Sequence, residues 1–340
     1  MTTRTDWVDY AKAIGIILVV YGHVARGLYN GGIAIPEHVY LLADSIVYSF
    51  HMPLFFFLSG LFFYSSFVKR GAVGLTFNKI DTIVYPYILW SILQGSIEVV
   101  LSRYTNGNVT WGEVLQLWDP RAQFWFLYAL FLIFVVSVVV FSAVQYRWLM
   151  FIFGSTCLLH LFRGHLPDFK IVLFVANNLV YFVFGVVFTR FNVVSYLSSN
   201  SAFLFLILLF ITAQYGFHNY LNLTYTYRGF EALMLAMTSI LFVVSASVLL
   251  SRASSKLLVY IGASSMAIYV MHILTGSGVR VVLSKFFGIN DVAVHLLLGC
   301  LAGLFLPLLA VYLINRLNIP YLFSAPVSGL FQLHRRTVGE

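Results

Sequence analysis

Residues 4–24 read RTDWVDYAKAIGIILVVYGHV, and the rest of the chain is best understood from this stretch. Asp6, Asp9 and Lys12 crowd its start, and then nothing charged occurs until Arg26. A helix needs roughly 20 residues to cross a bilayer, and this run supplies them. It is not expected to be a cleaved leader, because charges sit at its start and no small-x-small cleavage site follows.

The pattern recurs along the chain. Apolar segments fall at residues 8–28, 39–64, 80–101, 124–144, 148–161, 171–188, 202–218, 229–250, 257–279 and 292–314, the fifth being the shortest. Hydrophobic residues make up 61% of the chain and charged residues 9%, against about 45–50% and 25% in soluble domains, too little charge to cover a water-soluble surface. Disorder is excluded by 33 Phe, 21 Tyr and 6 Trp, and a disulfide scaffold by a cysteine count of 2. No alternation at about ten residues per segment suggests a membrane β-barrel. The expectation is an all-α integral membrane bundle of about ten transmembrane helices, one domain over residues 1–340 with a short tail from about residue 315.

Ten spans put both termini on one side. If that side is the cytoplasm, the inner set is Arg4, Lys12, Lys69, Arg70, Lys79, Arg147, Arg190, Arg252, Lys256, Arg316, Arg335 and Arg336, twelve of the 20 basic residues. Eight of the 12 acidic residues then fall outside, so the inner face carries the net charge of +8. The positive-inside rule therefore gives N-in, C-in. No basic stripe interleaved with aromatics lies outside the bilayer, so nucleic acid is not an expected partner.

Ionisable groups inside spans are costly and mark functional sites. Asp9 and Lys12, three apart, share a helix face near the inner boundary, either as a functional pair or as an interfacial ion pair. His23 follows eleven residues later, about 16 Å further through the membrane. The second span carries FHMPLFFFLSG at residues 50–60, placing His51 about 18 Å deep, with Pro53 set to break the helix beside it. The ninth span reads IGASSMAIYVMHIL and brings His272 to a similar level. Each could be a satisfied core histidine, but three at one depth favour a shared polar cavity. A metal site would also use three histidines, but no HExxH or carboxylate pattern accompanies them. Gln94, Glu98, Asn177, Asn178, Arg228 and Glu231 are further polar positions within or beside spans, and Tyr85 and Trp125 belong to aromatic motifs at the two boundaries.

Together these motifs resemble the acyltransferase-3 family of integral membrane acyltransferases. The resemblance rests on Trp7-x-Asp9-x-x-Lys12 followed by ten residues and then His23, FHMPLFFFLSGLFF, the Tyr85-Pro86-Tyr87 span, Phe124-Trp125-Phe126-Leu127 and the IGASSMAIYVMHIL stretch that holds His272, in family order. It is closest to the branch that O-acetylates bacterial exopolysaccharide sugars or their lipid-linked precursors. The resemblance implies acetyl-CoA as donor, a carbohydrate hydroxyl as acceptor, a bacterial cytoplasmic membrane, no metal, and His23 as the catalytic residue. Beside it, His51 is a second acid/base candidate, and Asp44 or Tyr21 a candidate for orienting His23. Lys12, Lys69, Arg70, Lys79 and Tyr85 are candidates for the donor, and Glu98, Trp125, Arg228, Glu231 and His272 for the acceptor. Two positions depart from the family pattern. Lys12 stands where an arginine is usual, and Lys69-Arg70 with Lys79 replaces an Arg-x-x-Arg. Lysine cannot grip an anion bidentately, so phosphate contacts would be distributed differently. A proton-coupled transporter would also show ten spans and intramembrane histidines, although no repeat between halves is found. Acylation of a lipid or small molecule is the rival within the enzyme class.

Overall fold

A computed structural model describes residues 6–104, 107 and 109–329, and among these no β-strand occurs. Arg4, His334, Arg335 and Arg336 therefore lie outside the described residues. In chain order the helices are α1 Asp6–Asn30, α2 Glu37–Tyr48, α3 His51–Leu61, α4 Phe63–Lys79, α5 Tyr85–Val100, α6 Trp111–Leu115 and α7 Trp125–Ala143. They continue as α8 Leu149–Leu161, α9 Lys170–Arg190, α10 Asn200–Tyr215, α11 Phe230–Ser251, α12 Lys256–Ala263, α13 Ser265–Val281 and α14 Val292–Arg316.

Nine helical stretches among the described residues are long and apolar enough to cross a membrane. The fifth segment expected from sequence, α8, has 13 residues and is not among them. Its neighbours nevertheless require it to cross. Trp125 packs on Phe174 and Phe134 on Phe182, so α7 and α9 run parallel. The chain must return between them. It does so along α8, with Phe153 against Phe184 and His160 bonded to the Asn177 carbonyl, antiparallel to α9. Thirteen residues rise about 20 Å, and short 3₁₀ turns at each end extend the crossing. Among the described residues the chain thus runs ten times along a multi-pass membrane bundle, nine of the runs being long and apolar enough to span by themselves. Gly299 of α14 opposes Val24 and Gly303 opposes Val20, so α14 runs antiparallel to α1 and ends at the face where α1 begins. That face is called the N-terminal face below.

Lipid tails are as apolar as leucine, so helices in a membrane associate through close packing, not water exclusion. Gly60 of α3 and Gly185 of α9 show how. A methyl at Gly60 would lie 1.9 Å from the Phe182 carbonyl oxygen, and one at Gly185 would lie 2.2 Å from that of Phe57. Only glycine lets these backbones touch, and rings of Phe57, Phe63, Phe134, Phe182 and Phe188 interlock around the contact.

Three breaks position the site. The second pass is interrupted at Phe50, whose backbone leaves the helical region (φ −142°), so His51 begins a new helix. Pro53 then sits in a first turn, where its missing N–H costs nothing. The third pass starts earlier than residue 80. Gly71, at φ 68°, turns the chain from an exposed amphipathic segment into a helix that continues through a π turn at Ile80–Val84 to Val100. Asp81 is accommodated there because its carboxylate accepts the Ser328 backbone N–H (2.8 Å) and hydroxyl (2.6 Å). With Tyr85 and Trp90 donating to the Tyr321 and Leu322 carbonyls, these bonds strap the segment after α14 along α5. The expected tail is therefore docked as far as residue 329. The ninth pass is jointed at Ser264, between α12 and α13.

Candidate active site

The histidines converge. A cavity of about 560 Å³ lies in the half of the bundle away from the N-terminal face, walled by α1, α3, α13, α14 and the turn before α7. The His23 and His272 ring centres are 5.0 Å apart, and Tyr48 links the group to His51, at 6.4 Å from His23 and 4.5 Å from His51.

Their surroundings differ. The helix break beside His51 leaves the Val47 carbonyl available, and His51 Nδ1 donates to it at 2.7 Å. Nδ1 of His272 donates to the Tyr269 carbonyl at 2.7 Å. Both rings are buried and held in one tautomer, with Nε2 as the remaining lone pair. His23 is only partly buried and its ring forms no hydrogen bond to another described residue. Unlike the other two, it has neither ring nitrogen committed to a carbonyl, so its tautomer and orientation are left to what occupies the cavity.

A charged frame surrounds them. Asp44 does not reach His23. It grips Arg26 bidentately, Nε to Oδ1 at 2.7 Å and Nη2 to Oδ2 at 2.8 Å, and the Arg26 guanidinium lies 3.3 Å above the centre of the Tyr48 ring. Tyr48 approaches α1 closely because residue 22 is glycine; a methyl there would meet the ring at 2.8 Å. Arg280 and His295 complete the wall, and His295 Nε2 donates to the Ile289 carbonyl at 2.8 Å. Sequence alone assigns no role to Arg26, Tyr48, Tyr269, Arg280 or His295. A signal for one of them exists: Arg26 lies three residues from His23 within α1, hence on its helix face.

The turn opening α7 forms the floor. Ala122 adopts a left-handed backbone (φ 44°), uncommon for a residue with a side chain. A relay buried at its glutamine end fixes it: Arg121 to Glu98 at 2.7 Å, Gln94 to Glu98 at 2.8 Å, and Gln123 to Gln94 at 2.6 Å. The Tyr269 hydroxyl donates to the Gln123 carbonyl.

A second cavity, of about 470 Å³, lies toward the N-terminal face. Lys12 and Lys79 line it, with Ser59, Ser265 and a wall of Phe55, Phe62, Phe126 and Phe134. Lys12 pairs with Asp9 at 3.6 Å, and Lys79 Nζ stands 4.3 Å over the Phe134 ring.

Of the residues predicted for the acceptor, Trp125 and His272 line the histidine cavity, whereas Glu98, Arg228 and Glu231 do not. Glu98 belongs to the relay. The Arg228 carbonyl accepts from Arg163, and Glu231 accepts the Tyr227 hydroxyl at 2.8 Å, a bond that raises the Tyr227 pKa. Of the residues predicted for the donor, Lys12 and Lys79 line the second cavity. Lys69 and Arg70 are exposed on the segment before Gly71, and Tyr85 is tied to the strap. No group of three or more His, Cys, Asp or Glu suited to a metal ion occurs among the described residues.

The described residues thus form an all-helical bundle whose interior cavity is lined by imidazoles. The family model described as an acyltransferase domain matches residues 5–316, so the chain belongs to the acyltransferase-3 family. No curated protein and no solved structure matches it.

Proposed function

We propose that this membrane acyltransferase moves an acetyl group from acetyl-CoA to a hydroxyl of a bacterial surface or exopolysaccharide sugar, with His23 as general base. The observation that carries the reading is the contrast among the three imidazoles. His51 and His272 are bound to backbone carbonyls, and His23, beside His272, lines the cavity with its ring unbonded. Acyl transfer to a sugar requires removal of a proton from a hydroxyl of very high pKa, and an imidazole titrates near working pH. The hydroxyl proton passes to His23 as the oxygen attacks the thioester carbonyl, and His23 returns it to the departing sulfur. Arg26 and Arg280 supply positive charge to the cavity in which negative charge develops on the carbonyl oxygen.

The two cavities divide the substrates. Lys12 and Lys79 suit the anionic nucleotide end of CoA, whose narrow pantetheine arm threads inward between the phenylalanines. With N-in, C-in orientation in a bacterial inner membrane, the donor is cytosolic and the sugar arrives from the opposite side. The primary test is purified protein in nanodiscs with radiolabelled acetyl-CoA and oligosaccharide acceptors, alongside mass spectrometry of glycan from cells carrying wild type or His23→Ala. Unchanged glycan acetylation in the folded variant would end the proposal. A reporter fused after Glu340 that functions only outside the cytoplasm should stay silent; a signal would reverse the assignment of the two faces.

A further inference from the structure

Among the described residues, Tyr269 is the one side chain that lines both cavities. It is 5% exposed, and its ring stands edge-on to Phe126 at 5.5 Å on the donor side and 6.1 Å from His272 on the other. Successive residues of α7 fall on the two sides of this divide, Trp125 in the histidine cavity and Phe126 in the lysine cavity. The Tyr269 hydroxyl is anchored to the Gln123 carbonyl, and Gln123 is itself fixed by its paired amide bonds to Gln94. The divide is thus one ring thick and braced by a buried hydrogen-bond relay, not by loose packing. It stands where a thioester entering past Lys12 and Lys79 must meet an acceptor activated at His23.

We infer that Tyr269, backed by Phe126, is a partition that sets the acyl length the enzyme transfers and keeps water of the histidine cavity from the thioester. This rests on the acetyl-transfer reading above. In the reaction the acceptor oxygen bonds to the carbonyl carbon, the C–S bond breaks, and the hydroxyl proton goes by way of His23 to the CoA sulfur. An acetyl group needs only to project its carbonyl past the ring edge. A longer chain must lie in space the ring fills. With the ring removed, water takes the acceptor's place, giving acetate and free CoA thiol.

The test compares wild type, Tyr269→Phe and Tyr269→Ala with acetyl-, butyryl- and hexanoyl-CoA, with and without acceptor. A methylene in an apolar pocket discriminates by about tenfold or more. Tyr269→Ala should therefore raise kcat/KM for butyryl relative to acetyl donor by at least about tenfold, and should raise acceptor-independent hydrolysis several-fold. Tyr269→Phe keeps the ring and should keep the wild-type length profile. Phe126→Leu makes the same comparison from the donor side should Tyr269→Ala not fold. Folded, active variants with the wild-type length profile and hydrolysis rate would overturn the partition and leave the activity reading standing. A wild type without acyl transfer would instead refute the activity reading. The partition would then be judged by labelling a single cysteine at Ser277→Cys, with Cys157 and Cys300 changed to serine. In sealed vesicles, an impermeant thiol reagent supplied at the N-terminal face should reach it only in the Tyr269→Ala background; equal labelling with Tyr269 present would overturn the partition.

Discussion

The two cavities are of similar size, about 560 and 470 Å³, yet they are built differently. The histidine cavity is held by directional bonds. Two imidazoles are tied to carbonyls, Arg26 is clamped to Asp44, and the turn before α7 is locked by an amide relay. The lysine cavity has aromatic walls and two cations on long flexible stems. Chemistry needs groups fixed to a fraction of an ångström, whereas holding a charged, extended donor needs attraction with little geometric demand. The comparison implies that damage to the first cavity should appear in kcat and damage to the second in KM.

The largest effect is expected at His23. A positioned general base contributes about 10²–10⁴-fold, so His23→Ala should reduce kcat by that range with donor binding preserved. Titration of acetyl-CoA into the inactive variant checks the second half. Lost donor binding would mean that the cavities are not separable. Next is the charge frame. Arg26→Met leaves Asp44, 7% exposed, without its counterion. Breaking a buried pair costs about 3–5 kcal/mol, and the lower end applies because Arg26 is itself 27% exposed. Thermal unfolding in detergent should show the loss, and adding Asp44→Asn should recover part of it. Unchanged stability in Arg26→Met would remove the pair from the account of the cavity. Smaller again is the lysine cavity: Lys12→Ala and Lys79→Ala should each raise the KM for acetyl-CoA several-fold with kcat little changed, since one charged contact is worth about 0.5–1 kcal/mol when exposed and more when partly desolvated. Equal loss in kcat would place these lysines in the chemistry.

The contrast also explains what is legible in the sequence. Membrane depth follows from counting residues at 1.5 Å each, so the common level of His23, His51 and His272 can be read from residue numbers alone. Nine long apolar spans are legible for the same reason, and the 13-residue α8 is the one expected segment too short to qualify by length. Lateral neighbours are not legible, because depth says nothing about which helix faces which. Asp44 therefore resembles a partner for His23 when it serves Arg26, and Glu98 resembles a ligand when it braces a turn. Tyr269 is one aromatic among many, and only the packing of α13 against the start of α7 gives it two faces.

The smallest effect distinguishes lining a cavity from lying near it. Lys69 and Arg70 share the N-terminal face with Lys12 and Lys79 but occupy the exposed segment before the Gly71 turn, outside the lysine cavity. By charge count alone all four are equivalent donors of attraction to CoA. By position, Lys69 and Arg70 act only through solvent, where a Debye length of about 8 Å at physiological salt damps them. Lys69→Gln with Arg70→Gln should therefore change the KM for acetyl-CoA by less than about twofold at physiological salt and somewhat more at low salt, while Lys79→Ala should keep most of its effect at both. Steady-state kinetics across ionic strength in nanodiscs decides it. If the exposed pair outweighs Lys79 at high salt, CoA phosphates sit on the segment before Gly71, and the lysine cavity holds only the pantetheine arm.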